Sequence, residues 1–313
     1  MHELLALDPE DICDLDSCLF WAEPCGEKLF DSLRLWGQME PVLVEKKSNR
    51  FSLIAGYKRY LAARNLSRTL YAWQQDSPGA WEKGVFYILS NWGQQLTPGR
   101  IISALRYFQP LTGDHEHIYS LLGISEPFGT KNMYTAWLSL PQSLDPLLEN
   151  NPHLLACARQ LGTWSHQDLQ ALSPFLERLH WSRNKAVKFV DLLSRNAARN
   201  NATIQDIADQ LGLADILDKD LSPKDKMQNL LEVLYRSGYP EYFRLMDETQ
   251  KRLKQWTKDT GWRCNHPNRF ESPDLEFSIR VQNFEHLRHA AQQLQEISES
   301  RLLDTWPVYP YDR

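Results

Sequence analysis

The sequence predicts an α+β chain in three parts: a small α/β domain over 1–95, an all-helical region over 96–200, and a C-terminal helix–β-hairpin–helix module over 201–313. Three observations predict it. The stretch EPVLVEKKSNRFSLIAGYKRYLAARNL at 40–66 reads as strand, polar turn, strand, glycine turn and helix. From 98 to 200 the segments read as helices, with apolar stripes such as Leu144, Leu147 and Leu148, then Leu154, Leu155, Ala158 and Leu161. Near the end the pattern changes, and 262–265 and 275–281 read as two strands joined by a loop rich in Pro and Asn.

In chain order, 1–25 is acidic and irregular, with one short strand near 11–13. Residues 27–36 form an amphipathic helix with Leu29, Phe30, Leu33 and Leu35 apolar. The apolar run 41–44, the turn 46–50 and the alternating run 51–55 make a strand pair that Gly56 ends, and 57–66 is helical with Leu61, Ala62 and Leu66 on one side. Lys58 and Arg59 fall at that helix N-terminus, where the dipole is already positive. Free backbone N–H groups, the dipole and two cations in one turn make an anion pocket, unless the two cations are merely solvated. Residues 69–73 form a further β-like run, 77–79 a turn and 81–89 an apolar run.

Thr97 is a good N-cap and Pro98 suits the first helical position, for a helix reaching 106 or 108. Ile118, Leu121 and Leu122 mark a short helix ending at Gly123. A second, over 131–140, carries Met133, Tyr134, Trp137 and Leu138. Ser165 caps a helix to 172, and Pro174 restarts another. Arg159, Arg178, Arg183, Lys185, Lys188, Arg195 and Arg199 concentrate positive charge, either to touch phosphates or as a solvated face. A polar connection at 196–202 marks a boundary. Thr203 caps an amphipathic helix over 204–211, Ser222-Pro223 opens a helix through 234, and 241–257 is a long helix. Asn283 caps a last helix over 284–297, and the aromatic, proline-broken tail at 306–313 is extended.

Composition excludes several classes. A formal net charge of -5 rules out a generic polyanion binder, so any nucleic-acid contact must use a local basic patch. No run approaches the roughly 18–20 apolar residues that span a bilayer, and the acidic N-terminus lacks a signal-peptide pattern. A cytoplasmic location and no membrane partner follow. The 5 cysteines are odd in number and scattered, which argues against a disulfide framework. Cys13, Cys18 and Cys25 lack the C-x-x-C spacing of a zinc knuckle. There is no HExxH, GxSxG, Walker or Rossmann fingerprint, and no metal ligand or catalytic residue is assigned.

Four features occur together and in order. They are Gly37-Gln38-Met39-Glu40-Pro41; Gly56-Tyr57-Lys58-Arg59 followed by Ala62 and Ala63; Ser90-Asn91 followed by Leu96-Thr97-Pro98; and a helix, a glycine turn and a second helix ending in Leu140-Pro141. This pattern resembles the ParB family of the ParB/sulfiredoxin superfamily, over roughly the first half of the chain. The resemblance implies a ParB/sulfiredoxin-like N-terminal domain followed by a helix-turn-helix region. It implies a nucleotide site for CTP with Mg²⁺ at Gly37, Pro41, Gly56, Lys58, Arg59 and Asn91. It also implies DNA contacts from Thr130, Lys131, Asn132 and Thr135 at the start of a recognition helix, to which the local charge concentration would add Arg178, Arg183, Lys185 and Lys188 on the phosphates.

The chain departs from the pattern at chemically telling places. Ser90 stands where the family has a Mg²⁺-holding Glu, and a hydroxyl is a poorer ligand for a hard cation. Lys58 replaces an Arg and loses bidentate geometry. Glu40 and Glu45 add carboxylates that would repel a triphosphate unless pointed away. No cysteine follows Gly56, so sulfiredoxin chemistry is not supported. The implied function is therefore DNA binding in a partition-like or transcription-regulating role, with a degenerate CTP-type site and at most weak nucleotide hydrolysis. The implied partners are DNA, a second copy through the C-terminal module, and a protein partner. The rival readings are a nucleotide-dependent enzyme of the superfamily (CTPase, kinase or nuclease) and a protein-interaction scaffold with a vestigial pocket.

Overall fold

The computed structural model describes residues 4–15, 18–93, 95–112, 115–124, 128–266 and 274–299. Gln94, the turn at 125–127, the loop at 267–273 and the tail at 306–313 lie outside the described residues. The chain divides into two compact units, Met1–Leu231 and Glu232–Arg313.

The first unit opens with strands β1 (Leu4–Leu7) and β2 (Ile12–Leu15), then helix α1 (Glu27–Trp36). The strand pair β3 (Val42–Lys47) and β4 (Arg50–Ala55), helix α2 (Tyr57–Asn65), strand β5 (Leu70–Gln75) and helix α3 (Ala80–Ser90) follow. The sheet order is β1-β5-β3-β4-β2. β3 runs antiparallel to β4 and parallel to β5, β1 antiparallel to β5, and β2 parallel to β4. Alternation places Val42 and Val44 on one face, where they join Leu53, Leu70 and Ala72 under Tyr60 and Ala63 of α2. Ile54 is buried on the opposite face of β4, the strand against which α3 packs. β1 lies in a stretch expected to be irregular. LLAL carries no alternation, and its strand state comes from pairing Leu4 with Trp73 and Leu7 with Leu70.

The helical part of this unit comprises α4 (Pro98–Phe108), α5 (His115–Leu121), α6 (Phe128–Leu138), α7 (Pro146–Asn150), α8 (Ala158–Leu161), α9 (His166–Arg178), α10 (Arg183–Asn200), α11 (Ile204–Gln210) and α12 (Leu213–Asp218). Thr97 caps α4 as expected, its hydroxyl accepting from the Arg100 N–H. α6 begins three residues before the expected start at 131. Pro174 does not break the chain. It sits inside α9, where buried Leu169, Leu172, Phe175 and Leu176 hold the helix together across the missing N–H. The expected boundaries at 95/96 and 200/201 both fall inside the first unit. Asn196, expected in a polar connection, is buried within α10 and donates to the Leu192 carbonyl at 2.8 Å. α10 ends instead at Asn201, which takes the left-handed conformation. The backbone N–H of Ile204 then donates to Asp168 at 2.8 Å, tying α11 to α9.

α13 (Pro223–Gly238) runs into the second unit, which contains α14 (Pro240–Trp256), the antiparallel pair β6 (Arg263–Asn265) and β7 (Glu276–Ser278), and α15 (Phe284–Glu299). The order here is helix, antiparallel strand pair, helix. Asn283 caps α15 through its carboxamide oxygen, which accepts from the His286 N–H at 2.8 Å. No helix among the described residues is long and apolar enough to cross a membrane.

Candidate functional site

Gly56 makes the turn from β4 into α2 at φ 97°, and an added Cβ there would lie only 2.6 Å from Val42 Cγ1. That turn leaves the first N–H groups of α2 without a side-chain cap and brings Lys58 and Arg59 to the mouth of a cleft of about 200 Å³. The cleft is closed by the segment carrying Trp21 and Glu23 and by the end of α3 at Tyr87, Ser90 and Asn91.

Each cation there has a partner. Lys58 Nζ lies 2.7 Å from Glu23 Oε2, and Arg100, from the first turn of α4, donates to Glu23 Oε1. Arg59 donates to the carbonyls of Glu40 at 2.9 Å and Pro41 at 3.0 Å, with the Glu40 carboxylate at 3.4 Å. Three cations against two carboxylates leave one net positive charge. Lys58 and then Arg100, by hydrogen bonding to the carboxylate, hold Glu23 below its ordinary pKa. Burial pulls Arg59 below the usual guanidinium value, with Glu40 opposing. Burial raises Tyr87, whose hydroxyl accepts from the Trp21 N–H at 3.1 Å.

Of the residues the sequence singled out, Gly56, Lys58, Arg59 and Asn91 line this cleft. Gly37 and Pro41 do not. Gly37 ends α1 at φ 80°, and Pro41 acts through its carbonyl on Arg59. Asn91 Nδ2 donates to the Tyr87 carbonyl at 2.8 Å and to Ser90 Oγ at 3.3 Å. Glu45 points away from the cleft and pairs with Lys83 of α3 at 2.7 Å, both side chains nearly buried. Glu23 and Arg100 were not anticipated. Their one sequence signal is that Arg100 falls in the first turn of the helix opened by Thr97-Pro98.

The DNA candidates are scattered. Thr130, Lys131 and Asn132 lie half-buried in the first turn of α6, with Thr135 exposed one turn on. Lys131 Nζ pairs with Glu116 at 2.6 Å and sits over the Tyr119 ring at 5.2 Å, so it joins α6 to α5. Arg178 pairs with Asp218 at 2.9 Å and donates to the Leu217 carbonyl, joining α9 to α12. Arg183 and Lys188 are exposed on α10 and Lys185 is half-buried. No group of three or more metal-ligating side chains occurs among the described residues, and Cys13, Cys18 and Cys25 are not joined in disulfides.

The fold and the cleft define a class: a small mixed sheet with a glycine-turn cation cleft, continuous with a helical region. No family profile and no curated protein sequence matches the chain. In fold the chain is similar to the C-terminally truncated chromosome-partitioning protein ParB from Caulobacter crescentus complexed to the centromeric parS site. The identity is 15%, the TM-score 0.36, and the match covers 60% of this chain and 98% of that one. It is similar also to a Pnob8-like ParB-N domain, at 17% identity and a TM-score of 0.34, covering 79% of this chain and 97% of that one.

Proposed function

We propose that this chain is a ParB-like DNA-binding protein, in a partition-like or transcription-regulating role, whose N-terminal cleft takes the phosphates of a nucleotide. The observation that carries the reading is the cleft at the Gly56 turn, lined by Lys58, Arg59 and Asn91, where Arg100 meets Lys58 on the shared Glu23 carboxylate. CTP is the first nucleotide to test. The donor set fits phosphate better than a divalent ion, because the two carboxylates of the cleft, Glu23 and Glu40, are already ion-paired. Mg²⁺ would therefore arrive on the phosphates and not on a protein carboxylate, and no hydrolytic step is assigned. The DNA half of the reading rests on the exposed cations of α10.

Titration calorimetry with CTP, ATP and GTP, with and without Mg²⁺, tests the cleft. CTP binding that is lost in Lys58→Ala and Arg59→Ala, with the fold intact by circular dichroism, supports it. Absence of binding by all three nucleotides, in the wild type and in Glu23→Gln, overturns it. DNA titrations at several salt concentrations test the other half, where an affinity indifferent to salt would exclude phosphate contacts.

The scaffold reading draws on a different observation. Leu35, Trp36 and Met39, at and just beyond the end of α1, are 67%, 75% and 77% exposed, which is unusual for three large apolar side chains so close in sequence. Capture of a protein partner that is lost in Trp36→Ala, in a chain that binds neither nucleotide nor DNA, would favour it.

A further inference from the structure

We infer that Glu23 is a built-in occupant of the cationic cleft, a carboxylate that a phosphate-bearing ligand must displace and that sets the cleft's selectivity. The inference rests on the nucleotide reading of the same cleft.

Both carboxylate oxygens are in use. Oε2 meets Lys58 from α2 at 2.7 Å and Oε1 meets Arg100 from α4, two cations that only the tertiary fold brings together. A carboxylate bridging an ammonium and a guanidinium presents the oxygen edge that a phosphate would present there. The backbone beside it is held. The Trp21 N–H donates to Tyr87 Oη at 3.1 Å, Trp21 Nε1 donates to the Arg100 carbonyl at 2.8 Å, and Gly26 begins α1. The Glu23 side chain itself is 44% exposed. Displacement therefore needs a side-chain rotation and no loop movement. Arg59 is held on the Glu40 and Pro41 carbonyls and not on Glu23, so displacing Glu23 exposes Lys58 and Arg100 to the ligand.

A tethered competitor acts at an effective concentration of about millimolar or more. A free monoanion offers the two cations nothing that Glu23 does not already supply. A polyphosphate offers more charge and more acceptors, so it can win. The cleft should then discriminate polyphosphates from carboxylates more sharply than an open pair of cations would.

The test compares the wild type with Glu23→Gln and Glu23→Asp by calorimetry, using CTP, inorganic pyrophosphate and acetate. Neutralising Glu23 is expected to tighten CTP and pyrophosphate at least tenfold and to let acetate bind. The shorter Asp, which cannot reach both cations equally, should fall between, and it preserves the test should the Gln variant fail to fold. The gain should vanish in Lys58→Ala/Glu23→Gln. Equal or weaker pyrophosphate binding in folded Glu23→Gln, with the wild type binding CTP, overturns the inference and leaves the nucleotide reading standing. No binding by either chain overturns both.

Discussion

Gly56 and Val42 meet where no side chain can be added: a Cβ on Gly56 would lie 2.6 Å from Val42 Cγ1 and 2.9 Å from Val42 Cβ. Gly56 also holds φ 97°, a conformation costly for any other residue. Val42 is fully buried in the sheet core and cannot retreat. Gly56→Ala should therefore destabilise the chain by about 3 kcal/mol, the sum of backbone strain and overpacking. Val42→Ala in the same chain should restore part of that loss, which urea unfolding of the two single variants and the double variant would read directly. Additive losses would mean that crowding against Val42 is not the cause.

Arg106 holds the end of α6 in place. Its guanidinium pairs with Asp145 through two hydrogen bonds, at 2.9 and 3.2 Å, and donates to the carbonyls of Leu138 and Leu140. Trp137 Nε1 donates to the same carboxylate at 2.9 Å. The pair is mostly shielded from solvent, with side-chain exposures of 17% and 14%. Asp145→Ala strands a nearly buried guanidinium and an indole N–H, and should cost about 3 kcal/mol. Arg106→Lys keeps the charge but cannot span the same acceptors, and should cost about 1–2 kcal/mol. A loss under about 1 kcal/mol for Asp145→Ala would place the pair with ordinary surface bridges.

Local signals were readable and non-local ones were not. The β3–β4 pair, the Gly56 turn and α2 were legible because alternation, a glycine and a helical stripe follow one another within 27 residues of chain, 40–66. β1 was not, since its strand state depends on β5, more than 60 residues away. The Pro174 rule failed because four buried apolar residues on α9 outweighed one lost hydrogen bond. The site divides the same way. Lys58 and Arg59 adjoin the glycine turn in sequence, so they could be named. Glu23 and Arg100 meet across 77 positions, and no spacing announces that. Lys131 shows a third case: its place at a helix start suggested DNA, while its pairing with Glu116 of α5 could be seen only in the fold.

The thiols should label in a fixed order. Cys13 is exposed. Cys264 is half-buried, and burial pushes it up to about 11. Cys157 is buried and pushed up to about 12, and Cys18 is buried with its thiol donating to the Ile54 carbonyl at 3.4 Å. Because the thiolate is the reacting form, maleimide at neutral pH should modify Cys13 first, and Cys157 only as fast as the chain opens. Peptide mapping of partly labelled protein would show it. Early modification of Cys157 would mean that the packing of α8 opens readily on its own.

Glu23 should leave a mark on acid stability. Its folded pKa lies below the ordinary 4.5, so as pH falls the unfolded chain takes up the proton before the folded one does. The resulting stabilisation is complete above 4.5 and is lost as pH falls through the folded value. The difference in stability between wild type and Glu23→Gln should therefore be constant near neutrality and shrink below 4.5, as read by urea melts across that range. A difference that stays constant into acid would mean that Lys58 and Arg100 do not hold the carboxylate in solution.

The cations of α10 give the sharpest test of DNA binding. Steps of seven and four residues put Lys188, Arg195 and Arg199 on one face of this helix, where all three are exposed although buried Leu192 borders it. Arg195 shares that face with Asp191 at 2.9 Å, where the carboxylate offsets its charge toward a phosphate. Lys188 and Arg199 bracket the face on either side of that pair and are both exposed, so they are the two positions to change. Lys188→Glu with Arg199→Glu should weaken DNA binding across all sequences alike. It should also reduce the slope of log affinity against log salt by about 0.9 for each phosphate that is no longer neutralised. Arg178→Ala should leave that slope unchanged, because Arg178 is held by Asp218 and the Leu217 carbonyl. Should Arg178→Ala flatten the slope while the α10 double variant does not, the phosphate contacts belong to the α9–α12 edge and the α10 assignment fails.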